Sequence, residues 1–114
     1  MNMGRKLELI NPANSEKFRE LPYHTWEDAE TLLIKARMAQ GEWKHSTLEQ
    51  RIELVQGAMD YFQENIETIS RDITLQMGKP IRQSRNEVKG MIHRAEVCCD
   101  LAEAALVDIV LPEA

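Results

Sequence analysis

Three histidines are the first residues to consider for chemistry, because only histidine changes charge near neutral pH without being perturbed. They are His24, His45 and His93. Glu42 and His45 have the Glu-x-x-His spacing of di-iron helical bundles, but that site needs two such motifs and further glutamates on facing helices. The chain has one copy, and His93 has Gly90 where the glutamate should be. We therefore predict no metal ligands and no catalytic histidine, and a metal-binding helical bundle is kept only as a third alternative.

Two cysteines and a Gly-Lys pair are the other candidates. Cys98 and Cys99 are adjacent, which suits neither an ordinary disulfide nor a zinc site, and they lie deep in a helical pattern far from any thiolate-stabilising helix start. Gly78 and Lys79 lack the further glycine and the Ser or Thr of a phosphate-binding loop. We predict packing roles for both cysteines and for Met59, Met77 and Met91, with no coenzyme-binding residue. The predicted catalytic, cofactor-binding and metal-binding sets are all empty.

Composition excludes several classes of partner. The 114 residues carry a formal net charge of −5, and the basic residues are scattered among acidic ones, which disfavours nucleic acid and anionic membranes. No apolar run has the length of a signal peptide or a membrane span. Together with the adjacent cysteines, this predicts a cytoplasmic protein in a reducing compartment.

The elements follow from hydrophobic spacing and capping residues. Alternating residues on either side of an Asn-Pro turn predict a β-hairpin over 7–22. Thr25 with Asp28, and Ser46 with Glu49, have the spacing of capping boxes, and apolar residues at i, i+3, i+4 and i+7 follow each. We predict helices over 26–42, 47–64, 66–77 and 80–106, with a break near Asn65.

The corner between the last two helices has its own signature. Gly78 suits a left-handed helix end, and Pro80 suits a first helical turn, so we place the start of the last helix there rather than at Ser84, which also has a capping signature. After Leu106 the chain continues with Val107 to Pro112, which has the character of an approaching strand.

Taken in order, these segments resemble the N-terminal stretch of the NAD(P)-dependent aldehyde dehydrogenases over nearly the whole chain. No single motif is specific, but five occur in the family's order and spacing, and the end from Ala104 to Glu113 resembles the succinate-semialdehyde type. The five are Asn11 to Glu16, the alanine-spaced helix ending in Trp43, Ser46 to Arg51, Gly78-Lys79-Pro80, and Glu87-Val88.

The resemblance implies an α/β parent fold with a Rossmann-like coenzyme domain, of which this segment would supply an N-terminal hairpin and about four helices. It also implies oxidation of an aldehyde to a carboxylic acid with NAD or NADP, through a thiohemiacetal. The family's catalytic cysteine, general-base glutamate, oxyanion asparagine and NAD(P)-handling residues all fall beyond the position matching Ala114. Cys98 and Cys99 do not match the nucleophile, so none of these roles passes to a residue of this chain.

Two positions depart from the family pattern. Asn14-Ser15 stands where Thr-Gly is common, and we expect Asn14 to take the left-handed conformation there. Gln76 stands where many members have an acid that holds a structural monovalent cation together with the main-chain carbonyl at Ile10. A neutral amide speaks against that cation site.

The leading hypothesis is an aldehyde dehydrogenase fragment that is inactive alone, needs no cofactor itself and self-associates through an exposed apolar face. The alternative is a non-catalytic helical interaction module that docks on a partner chain. The fragment hypothesis predicts an apolar patch larger than the few hundred Å² usual on a monomer. The aldehyde, the choice between NAD and NADP, and the origin of the truncation are left open by the sequence.

Overall fold

The computed structural model describes residues 6–111. A two-stranded antiparallel hairpin is followed by four helices, which confirms the predicted order of elements. The strands are β1 (Lys6–Ile10) and β2 (Lys17–Pro22), and the helices are α1 (Trp26–Trp43), α2 (Leu48–Glu64), α3 (Ile66–Met77) and α4 (Ile81–Ala105).

The hairpin loop reverses the chain through a left-handed residue, but that residue is Ser15, with φ 61°, and not Asn14. The Ser15 amide donates to the Asn11 carbonyl at 2.8 Å and so closes a five-residue turn. The side chain of Asn14 serves the loop instead, since its amide nitrogen donates to a Glu16 carboxylate oxygen at 2.7 Å. The left-handed strain therefore falls on the second residue of the pair.

Side-chain caps set the starts of the first two helices. Thr25 and Asp28 form the predicted capping box of α1. The box of α2 is one residue later than expected, on Thr47 and Gln50. Ser46 cannot serve as the cap because its hydroxyl already donates to the Trp43 carbonyl at 2.7 Å and accepts from Arg51 Nε at 2.9 Å.

The corner between α3 and α4 has the predicted backbone. Gly78 has φ 70° at the end of α3. Pro80, with φ −58° and ψ 139°, is the residue before α4 rather than its first helical residue, so α4 begins at Ile81. Ser84 lies inside α4, and the alternative start is therefore wrong.

The core lies where α4 meets α3 and α2. Val88 and Ile92 of α4 are its buried apolar residues, and Ser70 and Ser84 are fully enclosed. Small serine side chains allow the backbones of α3 and α4 to approach closely, and Thr74 and Ser84 share a hydrogen bond of 2.9 Å there. Met59 and Met91 are partly buried, but Met77, predicted as core, is exposed because it is the last residue of α3 and nothing among residues 6–111 faces it.

Residues 107–111 and the apolar stripe of α1 both lie outside the packed core. Residues 107–111 form no strand, since the strands of the described hairpin pair only with each other, and Pro112 lies outside the described residues. The apolar stripe of α1, whose pattern is that of a packed helix, is exposed along its whole length. No helix among residues 6–111 combines the length and apolarity needed to cross a lipid bilayer.

The molecule is extended for its length. The Cα radius of gyration is 20.0 Å, whereas a compact domain of this size has about 13 Å. The accessible surface is 10031 Å², against about 6,400 Å² for a folded monomer of this mass. Much apolar surface is therefore left uncovered by the chain itself.

Candidate functional site

The corner formed by Gly78, Lys79 and Pro80 is the candidate site, because the hairpin loop packs against it. A Cβ added to Gly78 would lie 2.6 Å from Cγ of Pro12. Asn11, beside Pro12, is buried, and its side-chain oxygen accepts the Ala13 amide at 3.0 Å. The hairpin loop and the corner between α3 and α4 can therefore pack together only because position 78 has no side chain.

Lys79 does not offer its charge to a ligand. Its ammonium group pairs with the carboxylate of Glu87, a residue of α4. A phosphate cradle needs free backbone amides around a glycine and an available cation. Here Pro12 covers Gly78 and Glu87 neutralises Lys79, so this corner does not fit the phosphates of a dinucleotide.

A second polar cluster joins α3 to α4. Arg85 donates to both carboxylate oxygens of Glu67, with Nε–Oε1 at 2.8 Å and Nη2–Oε2 at 2.7 Å. The Arg85 guanidinium lowers the pKa of Glu67, and Glu67 raises the pKa of Arg85. The pair is exposed and bidentate, which suits fixing the crossing of two helices better than it suits catalysis.

The three histidines lie in different parts of the fold. His24 precedes the cap of α1, His45 lies between α1 and α2, and His93 lies on the exposed side of α4, with its Nδ1 4.0 Å from Glu96. Within the described range of 6–111, no three His, Cys, Asp or Glu side chains form a group that could hold a metal ion. Glu42 and His45 lie at an exposed helix end, where no third ligand is found among residues 6–111.

The cysteines lie in the middle of α4. Cys98 is exposed and Cys99 is half-buried, and both line a shallow groove that Val55 of α2 also lines. The two thiols are free. The expected packing role therefore fits the half-buried Cys99 better than the exposed Cys98.

The two positions of the suspected cation site flank the contact between Pro12 and Gly78. Ile10 ends β1 two residues before Pro12, and Gln76 lies two residues before Gly78 on α3. Both side chains are exposed, and Gln76 brings a neutral amide rather than a carboxylate.

Sequence reasoning did not identify the residues that hold these elements together. Arg51 links α1 to α2, because it bonds Ser46 and lies 5.4 Å from the centre of the Trp43 ring. Arg85 and Glu67 are 18 positions apart. Such partners carry no local periodic signal, and only the fold brings them together.

The family-level comparison is decisive. The family model described as "Aldehyde dehydrogenase family" matches residues 1–113. The chain belongs to the aldehyde dehydrogenase family. This confirms the resemblance drawn from the ordered motifs.

Individual aldehyde dehydrogenases agree with that assignment. The chain is 31% identical over 107 residues to the 3,6-anhydro-alpha-L-galactose dehydrogenase of Vibrio sp. (strain EJY3), which covers 94% of this chain and 22% of that protein. It is 33% identical over 79 residues to a succinate semialdehyde dehydrogenase of Escherichia coli (strain K12), covering 69% of this chain and 17% of that protein.

The fold agrees as well. The crystal structure of betaine aldehyde dehydrogenase from Staphylococcus aureus, in complex with NAD+, superposes with a TM-score of 0.78 and 31% sequence identity over 86% of this chain and 20% of that one. The chain thus spans about a fifth of the length of the aldehyde dehydrogenases that it matches.

Proposed function

We propose that these 114 residues form the N-terminal segment of an NAD(P)-dependent enzyme that oxidises an aldehyde to a carboxylic acid. The observation that carries the proposal is the family match over residues 1–113. The named relatives support the reaction class, since they are dehydrogenases of sugar-derived and semialdehyde substrates. The net charge of −5, with basic residues scattered among acidic ones, is compatible with a small-molecule substrate. We also propose a cytoplasmic location.

We further propose that the segment alone does not catalyse this oxidation. The matched stretch is about a fifth of each relative, and the corner at Gly78 and Lys79 is closed by Pro12 and Glu87. The binding of NAD or NADP therefore belongs to other parts of the family's fold. What this segment contributes is the hairpin, the docked corner and the helices that pack against the remainder.

The test is an assay of the purified 114-residue chain with succinate semialdehyde and either NAD or NADP, following formation of the reduced nicotinamide. We expect no aldehyde-dependent signal, while the E. coli succinate semialdehyde dehydrogenase serves as the positive control. Aldehyde-dependent reduction by the short chain would refute the claim of inactivity.

A complementation assay tests the segment's role. The E. coli enzyme would be expressed without the stretch that matches this chain and then mixed with the 114 residues. Recovery of activity above either part alone supports the proposal. If the segment instead forms a stoichiometric complex with an unrelated protein and never restores activity, the interaction-module alternative is favoured.

A further inference from the structure

Two contacts join the hairpin to α3 and the corner that follows it. At the loop, Pro12 packs against Gly78. Along β2, the guanidinium of Arg19 forms an ion pair with the carboxylate of Asp72 on α3, with Nη2 and Oδ2 3.8 Å apart. The first contact depends on shape, and the second depends on charge.

This ion pair lies next to the two positions of the suspected cation site. Arg19 is paired across the sheet with Leu9, which directly precedes Ile10. Asp72 and Gln76 are four residues apart on α3, and residues at this spacing lie on the same face of a helix. The ion pair therefore joins the hairpin to α3, as a cation between the Ile10 carbonyl and position 76 would.

The oxygen donors at positions 10 and 76 do not fit a monovalent cation. Such ions are held by oxygen ligands, and a carboxylate adds a Coulomb attraction that a neutral amide lacks. Here the donors are one main-chain carbonyl and the amide oxygen of Gln76, whose side chain is exposed. Neither donor offers a charge that compensates the ion for the water it would lose.

The carboxylates on the neighbouring turns are already neutralised by the chain itself. Three carboxylates lie on α3 and the first half of α4, and each of them forms an ion pair with a basic side chain. The pairs are Glu67 with Arg85, Asp72 with Arg19, and Glu87 with Lys79. The positive charge around the corner therefore comes from groups that are covalently part of the chain.

We propose that this chain holds its hairpin on α3 without a monovalent cation, and that the Arg19 guanidinium supplies the positive charge of that link. A guanidinium attached to β2 needs no ion from solution, so docking is independent of which salt is present. Docking still responds to ionic strength, because the two side chains are 52% and 39% exposed and salt screens exposed charges. The proposal does not rest on the enzymatic function.

Amide exchange of β1 and β2, followed by NMR in the 114-residue chain, tests the role of added cations. Exchange is compared in the chlorides of sodium, potassium, lithium and choline at one ionic strength of about 0.15 M, so that screening is constant. We expect equal protection of the strands in all four salts, and lower protection when the concentration of any one salt is raised. Greater protection in sodium or potassium than in choline overturns the proposal.

Two substitutions test the pair of Arg19 and Asp72. Asp72→Asn and Arg19→Gln should each increase the exchange rates of the strands about twofold to fivefold, the range expected for an exposed ion pair. The double variant R19Q/D72N should exchange no faster than either single variant, because both changes remove the same contact. Asp60→Asn, the same change on α2, is the matched control and should leave exchange unaltered. Wild-type exchange rates in D72N overturn the role of Arg19.

Gln76→Glu tests whether position 76 is the reason for the cation independence. The variant places a carboxylate on α3 where the donor set now has a neutral amide. Its strands should exchange about twofold more slowly in sodium or potassium than in choline at equal ionic strength. Gln56→Glu on α2 makes the same change of charge elsewhere and should show no preference among the salts. A Q76E chain without any preference overturns the assignment to Gln76.

Discussion

At the scale of single residues, the contact between Gly78 and Pro12 decides how the hairpin sits on the helices. Gly78 has φ 70°, and the proline ring occupies the space where a side chain would begin. An alanine there meets two separate costs. The left-handed backbone alone costs about 1–2 kcal/mol for a residue with a Cβ, and the overlap with Pro12 adds to it.

We therefore predict that Gly78→Ala lowers the free energy of unfolding by about 2 kcal/mol or more, measured by urea denaturation. The control is the double variant with Pro12→Ala, which removes Cγ and should recover the overlap cost but not the backbone cost. Equal losses in the single and double variants would show that Pro12 does not press on Gly78.

Ser15 carries the same kind of strain without a glycine to relieve it. Its φ of 61° closes the hairpin loop. Ser15→Gly should stabilise the hairpin by up to about 1 kcal/mol, because the removed strain exceeds the added entropy of the unfolded glycine. Amide exchange of β1 and β2 measures this. Ser15→Ala keeps the Cβ and should give no gain; a gain of the same size would mean that the hydroxyl, not the backbone, is responsible.

At the scale of elements, the hairpin is held by charge across its outer surface. Glu20 on β2 lies between Lys6 of β1 and Lys17 of its own strand. Hydrogen bonds from Lys6 and then Lys17 lower the pKa of Glu20 from 4.5 to about 2. A carboxylate whose pKa is lower in the folded state stabilises that state above the unfolded pKa.

The hairpin should therefore be fully stabilised above pH 4.5 and lose this contribution as the pH falls from 4.5 to about 2. An NMR titration of the Glu20 carboxyl carbon, run beside amide exchange in the strands, measures both effects. Glu20→Gln should flatten the pH dependence. Because the group is partly exposed, added salt should weaken the effect as well, and a titration midpoint near 4.5 would contradict the ion pairs.

The elements themselves could be predicted because their signals are local. The box of Thr25 and Asp28, the helical stripes and the glycine at position 78 act within a few residues. The helices α2 and α4 start one residue later than predicted, at Leu48 and Ile81, because the Ser46 hydroxyl is engaged with Trp43 and Arg51 and because Pro80 has an extended ψ of 139°. The docking of Pro12 on Gly78 could not be predicted, because the local sequence of neither turn indicates which distant segment it contacts.

At the scale of the whole molecule, the apolar stripe of α1 shows that the formation of a helix and its burial depend on different parts of the sequence. The stripe correctly predicts a helix, because spacing alone encodes it. Its burial depends on a covering surface that residues 6–111 do not supply. In the same way, the ordered motifs predicted the family correctly. They could not predict the contact between Pro12 and Gly78 at the candidate site, because that contact joins segments that are distant in the sequence.

This uneven packing predicts that α1 opens independently of the α3–α4 core. Most of the stability of a helix in a protein comes from packing of its apolar face, and no residue of the 18-residue α1 is buried, so α1 amides should exchange nearly as fast as those of a free helix at concentrations where the chain is monomeric. Amides of α4 near Val88 and Ile92 should be protected. Ile92→Ala should cost about 2–5 kcal/mol, whereas Leu33→Ala, at an exposed position, should cost less than about 0.5 kcal/mol. Equal protection of α1 and α4 in the monomer would contradict the open position of α1.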